Sequence, residues 1–130
     1  MTGAVMRVAR ACRDIDVIAA QYVGGLGFDV LSSFRDHEGF DGIILGHPRG
    51  PYHLEFIRDH RAPPPPSPHE EQLLVFYLDE AVDWQRRCDA MLAAGFTVVQ
   101  NANPFWERNG RTFMDMEGGR VVLHRGAWPR

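Results

Sequence analysis

The 130-residue chain contains no lysine; all 14 of its basic residues are arginine. That absence excludes Schiff-base chemistry, a phosphate-loop lysine and a lysine general base. Serine is nearly as scarce, occurring only as Ser32, Ser33 and Ser67, none within a Gly-x-Ser-x-Gly elbow. Covalent hydrolysis through an activated serine therefore has no candidate. Two cysteines, Cys12 and Cys88, form neither a disulfide framework nor a Cys-x-x-Cys pair, the usage of a reducing compartment. No apolar run approaches the ~20 residues that cross a bilayer, and the opening MTGAVMRVAR has no signal-peptide core. The expectation is a cytoplasmic protein. A net charge of −3 offers no basic footprint for nucleic acid or an anionic membrane.

What is present is ordinary globular composition, 45% hydrophobic and 24% charged, in a chain long enough to bury a core without disulfides. The one low-complexity stretch, APPPPSP at 62–68, must be extended and cannot join a central strand. It separates two halves of one pattern, about 4–60 and about 71–126. In the first, VARAC reads as a strand and DIDVIAAQYVGGLG as a helix capped by Asp14 and ended by its glycines. The runs FDVLSSF, FDGIILG and YHLEFI then read as strands. In the second, LLVFYL is a strand and DEAVDWQRRCDAMLAAG a helix capped by Asp79 and stopped by Gly95. Ala81, Trp84, Cys88, Met91 and Leu92 fall on one face of that helix. FTVVQ, RTFMD and GRVVLHR follow as strands. Each helix is followed by Gly-Phe (Gly27-Phe28 and Gly95-Phe96), and 26 residues separate Phe28 from Leu54 and Phe96 from Val122. The repeat predicts an α+β fold of two βαβββ modules forming a curved mixed sheet around a groove, helices outside.

In the run PYHLEFIRDH, His53 and Glu55 are two residues apart and leave the same face of a strand. A histidine beside a carboxylate is half of a metal site.

The stretches RDIDVIAAQYVGGLGFDVL and DMEGGRVVL, with Tyr22 in the helix, resemble the vicinal oxygen chelate superfamily of glyoxalases, extradiol dioxygenases, fosfomycin-modifying enzymes and bleomycin-binding proteins. The resemblance spans nearly the whole chain. It implies a small organic ligand and a homodimer, and in the metal enzymes one ligand from each of four strands. Those four positions fall on Arg7, Glu55, Leu73 (with Gln72 adjacent) and Val122. Leucine and valine cannot coordinate, and a guanidinium repels a cation. The expectation is a small-molecule-binding protein with no cofactor, its groove lined by Arg7, His53, Glu55 and Trp106, with Arg7 paired to Glu55.

Two alternatives stay open at this stage. His124, two residues beyond Val122, could join His53 and Glu55 as a two-histidine, one-carboxylate metal set if the halves align with Gly46 on Asp115 and Glu55 on His124. Alternatively, Glu55 or His53 could abstract a proton while Arg7 stabilises an enolate, without metal. The segment NPFWERNGR reads as turn chemistry, with Phe105 and Trp106 as an aromatic wall or a packing surface. The segment RDHEGFDG reads as a hairpin. Arg10 is out of phase with Arg7, and His37, His47, His60 and His69 are expected to be exposed.

Overall fold

The computed structural model describes residues 1–129. In chain order its elements are β1 (Met6–Ala11), α1 (Ile15–Leu26), β2 (Asp29–His37), β3 (Phe40–Gly46), β4 (Tyr52–Asp59), β5 (Leu73–Leu78), α2 (Ala81–Ala93), β6 (Thr97–Val99), α3 (Pro104–Asn109), β7 (Gly110–Met114) and β8 (Arg120–Arg125). The eight strands form two four-stranded sheets, ordered β1-β4-β3-β2 and β5-β8-β7-β6. In each, the first and last strands of a module pair parallel and the remaining neighbours antiparallel. By contacts the chain divides into two units, one of Met1–Val23 with Gly27–Pro66, the other of Gly24–Leu26 with the residues from Ser67 on.

In the first unit, Asp14 caps α1, its carboxylate accepting the N–H groups of Asp16 and Val17 at 3.1 Å each. Ile15, Ile18, Ala19 and Tyr22 follow at helical spacing and are all buried. Tyr22 packs on Phe56 of β4, ring centroids 4.9 Å apart. The helix does not stop at Gly24-Gly25. It runs to Leu26 and ends on Gly27 in the left-handed conformation, φ 72°. Gly25 groups with the second unit, where a Cβ would stand 2.8 Å from Met91 Sδ and 2.9 Å from the Phe96 ring. A close approach, rather than a helix stop, is what this glycine serves.

The β2–β3 hairpin is tighter than its sequence suggests. Asp36 and Glu38 take positive φ (48° and 53°) ahead of Gly39 at 87°, and the pairing register shifts between Phe34 and His37. The turn is held by Asp41, whose carboxylate accepts the Asp36 N–H at 2.8 Å and faces His60 Nε2 at 2.8 Å. Asp41 is buried. His60 is exposed, as expected, and also partners the buried carboxylate.

In the second unit, Trp84, Cys88 and Met91 of α2 are buried, with Trp84 Nε1 donating to the Leu123 carbonyl at 2.9 Å. Ala81 and Leu92 fall outside the buried face. The cap is Glu80, without a side-chain hydrogen bond, and not Asp79, because the helix starts one residue later than the sequence suggested. Before β8, Asp115 accepts the N–H groups of Glu117 and Gly119 at 2.8 and 3.0 Å, and Gly118 takes φ 90°. The DMEGG motif therefore builds a turn.

Candidate functional site

Strands β1 and β4 run parallel with Arg7 opposite His53 and Ala9 opposite Glu55. Side chains alternate across a strand, so Arg7, Ala9, His53 and Glu55 share the face turned away from the Phe56–Tyr22 packing. Glu55 is buried at 8% exposure. Arg7 Nη1 lies 3.5 Å from Glu55 Oε2, supplying the countercharge that a buried carboxylate requires. At that distance the contact is an ion pair rather than a well-formed hydrogen bond. Both groups therefore keep donors and acceptors for a third partner. His53 is half-buried, and Gly46 makes room for it: a Cβ at Gly46 would stand 3.0 Å from His53 Cβ. Arg10 takes the opposite face, stacked over Phe56 at 5.2 Å with Nη1 3.4 Å from the Tyr22 hydroxyl.

The equivalent positions of the second unit follow from its ladders. Asp29, next after Gly27-Phe28, pairs Gly46, which pairs His53, which pairs Arg7. Thr97, next after Gly95-Phe96, pairs Met114, which pairs Arg120, which pairs Leu73. Leu73 thus holds the place of Arg7, and Val122, opposite Val75, the place of Glu55. The β7–β8 turn is one residue shorter than the β3–β4 turn. That difference corrects the equal 26-residue spacing, which would have put Leu54 at Val122's place, and the alternative offset that aligns Glu55 with His124; the residue at His124's place is Ile57.

Of the four positions that the resemblance assigns to metal ligands, only Glu55 carries a donor. Arg7 is a permanent cation, and Leu73 and Val122 are hydrocarbon. Among the described residues no three His, Cys, Asp or Glu side chains gather as a group able to hold a metal. The side chains at these positions do not fit that ion. Both cysteines are buried, and burial pushes the Cys88 thiol up, with Arg111 opposing, the opposite of an activated nucleophile.

In the second unit, the segment expected to be a turn is a short helix, α3. Asn103 caps it by accepting the Phe105 N–H at 3.0 Å, and Pro104 opens it. Asn101 is buried and braces the approach, accepting the Asn103 N–H at 2.9 Å and donating through Nδ2 to Thr112 Oγ1 at 3.1 Å. Its own N–H donates to Glu107 Oε1. The signal was present as Asn-Pro followed by Glu107, an N-cap, a first-turn proline and an early acid. The helix presents Phe105 and Trp106 to His124, which Phe105 stacks on at 5.9 Å and 19° and Trp106 meets edge-on at 6.1 Å. Tyr77, opposite His124 on β5, closes to 4.7 Å, and Trp128 meets Tyr77 at 5.5 Å. His124 is therefore the centre of an aromatic cluster, with Nδ1 3.3 Å from the Gly126 carbonyl. Tyr77 and Trp128 were not among the sequence candidates; the even spacing of Tyr77 within β5 was the available sign.

Two family models match the chain, the YycE-like N-terminal domain over residues 6–57 and the YycE-like C-terminal domain over residues 71–125. An uncharacterized protein YycE of Bacillus subtilis (strain 168) is 35% identical over 120 residues, covering 92% of this chain and 86% of the relative. The chain belongs to the YycE-like family. A crystal structure of a Bacillus subtilis YycE protein of unknown function, provisionally described as a glyoxalase/fosfomycin resistance protein, superposes with a TM-score of 0.88 at 32% identity, covering 100% of this chain and 94% of that one. The fosfomycin resistance protein FosX of Mesorhizobium loti gives 0.72 at 12% identity, with coverage of 98% and 94%. TnmS3, an antibiotic binding protein of a Streptomyces species, gives 0.65 at 21% identity, with coverage of 98% and 99%. The YycE-like fold is thus that of the vicinal oxygen chelate superfamily, two βαβββ modules each with its own mixed sheet.

Proposed function

We propose that this YycE-like chain is a small-molecule-binding protein of the glyoxalase/bleomycin-resistance type that works without the superfamily's usual four-ligand metal centre. The observation that carries the reading is the Arg7–Glu55 pair at 3.5 Å, a fixed cation and a buried carboxylate at two of the ligand positions. A guanidinium, an imidazole at His53 and a carboxylate on one face suit a polar organic molecule, anionic or zwitterionic. Trp106, in the aromatic cluster of the second unit, is a stacking surface for such a molecule. Sequestration of a toxic compound fits this set, and the antibiotic-binding and fosfomycin-resistance proteins that share the fold give it precedent. Cytoplasmic residence and assembly as a homodimer belong to the same reading; no helix of the described residues is long and apolar enough to cross a membrane.

The test is a thermal-shift screen of amino acids, hydroxy acids and charged antibiotics, repeated on Arg7→Gln and Glu55→Gln. Compounds that stabilise the wild type and lose their effect in both variants support the reading. Stabilising compounds indifferent to both substitutions contradict it.

A further inference from the structure

The second unit carries two arginines on one face of its sheet. Arg111 on β7 pairs Leu123 on β8, and Arg125 is two residues beyond Leu123, so all three side chains leave the same face. Trp84 of α2 packs on that face, its Nε1 donating to the Leu123 carbonyl at 2.9 Å. Both guanidiniums lie over the Trp84 ring, Cζ 5.2 Å from its centroid for Arg111 and 5.3 Å for Arg125. Diagonal neighbours on adjacent strands are about 7–8 Å apart, within reach of long side chains. Two permanent cations therefore share one small space.

Like charges so placed repel, yet among the described residues neither guanidinium has an ion pair or a hydrogen bond. The acids along α2 are engaged elsewhere. Asp83, one residue before Trp84, lies 3.9 Å from Arg86, and Asp89 accepts from Gln85 Nε2 at 3.0 Å. Asp79 and Glu80 follow Leu78, which pairs Arg125; both are exposed and neither forms an ion pair with Arg111 or Arg125. A cation–π contact engages the flat face of a guanidinium and leaves the N–H donors at its edge unspent. Trp84 is buried and fixed through its nitrogen, so it holds both forks in place before a ligand arrives. Arg125 is exposed and Arg111 half-buried, which leaves the pair open to solvent.

We propose that Arg111 and Arg125 form a binding site for a phosphate group, whose oxygens take N–H donors from both guanidiniums. A phosphate carries about −1.5 to −2 charge at neutral pH and so balances the pair, whereas a monocarboxylate leaves one cation unmet. The site lies on the α2 side of the second unit's sheet and uses no residue of the Arg7–Glu55 face. It stands whether or not that reading does.

The test follows the Trp84 indole N–H signal by NMR while inorganic phosphate, phenyl phosphate or acetate is added at constant ionic strength. Wild type is compared with Arg111→Gln, Arg125→Gln, Arg125→Lys and Arg49→Gln. Arg49 is exposed in the first unit, so its variant removes the same charge elsewhere. The expected result is a saturable shift with both phosphates that weakens about tenfold or more in Arg111→Gln and in Arg125→Gln. It should be partly kept in Arg125→Lys, unchanged in Arg49→Gln and absent with acetate. If Arg111→Gln does not fold, the exposed Arg125 carries the test. Tighter binding of phenyl phosphate would assign the site to a phosphate monoester and equal binding to the free ion, each supporting the proposal. No saturable shift with either phosphate, an equal shift with acetate, or an unaffected Arg125→Gln would overturn it. Equal weakening in Arg49→Gln would also overturn it, since net charge alone would then account for the attraction.

Discussion

Arg7 and Glu55 divide unequally between water and protein: the arginine side chain is 43% exposed, the glutamate 10%. The pair therefore acts chiefly to make a buried carboxylate tolerable, and solvent screens most of its net stabilisation. Arg7→Gln should cost about 0.5–1 kcal/mol of unfolding free energy in urea titrations. In a Glu55→Gln background the same change should cost close to nothing, because the buried charge it served is gone. Asp41 gives a second residue-scale expectation. The Asp36 N–H, and after it His60 and Arg35, hold its carboxyl below the ordinary 3.8, with burial opposing. A depressed carboxyl contributes stability that is complete above its unfolded value and is lost as pH falls through the lower folded value. Wild type should therefore lose stability below about pH 4 more steeply than Asp41→Asn, as read from melting temperature against pH.

At the scale of elements, α3 depends on Asn103, whose side chain accepts the Phe105 N–H and whose helix supports Phe105 and Trp106 against His124. Asn103→Ala should destabilise by about 1 kcal/mol and shift tryptophan fluorescence as the aromatic cluster loosens. An unchanged emission spectrum would mean that Trp106 is held by its neighbours alone. Strand alternation and the helical stripes were legible: β3 and β5 fall at the bounds that FDGIILG and LLVFYL suggested, and Asp14 caps α1. The elements misread were those where a local signal competes with another. Asn-Pro reads as a turn until Glu107 is weighed with it, and of the GGLG glycines read as ending α1, Gly27 does so while Gly24 and Gly25 lie within the helix. A glycine kept for close approach carries the same letter as a glycine kept for a left-handed turn, and only three-dimensional packing separates them. Gly25→Ala should accordingly cost about 1–3 kcal/mol through overpacking against Met91 and Phe96, measurable by denaturant titration.

For the whole molecule, the repeat was the most informative sequence feature, since two βαβββ patterns with matching Gly-Phe steps imply two modules of like topology. The candidate site was legible to the extent that register was. Arg7, His53 and Glu55 come together because strand alternation and parallel pairing place them so. The correspondence of Glu55 with Val122 was obscured by a one-residue difference between two turns, which the sequence does not mark and which would shift every side chain to the other face if misassigned. The aromatic setting of His124 was out of reach because it needs α3, β5 and the segment after β8 together. The central claim of the proposed function is that a YycE-like chain with Arg7 and Glu55 in its first unit and Leu73 and Val122 in its second holds no tightly bound metal. Plasma mass spectrometry on untagged protein, purified without chelator and then soaked in zinc, iron, nickel and manganese and desalted, tests it directly with Glu55→Gln as the control. The account predicts less than about a tenth of an equivalent of any metal in both proteins. Near one equivalent in the wild type, lost in Glu55→Gln, would contradict it.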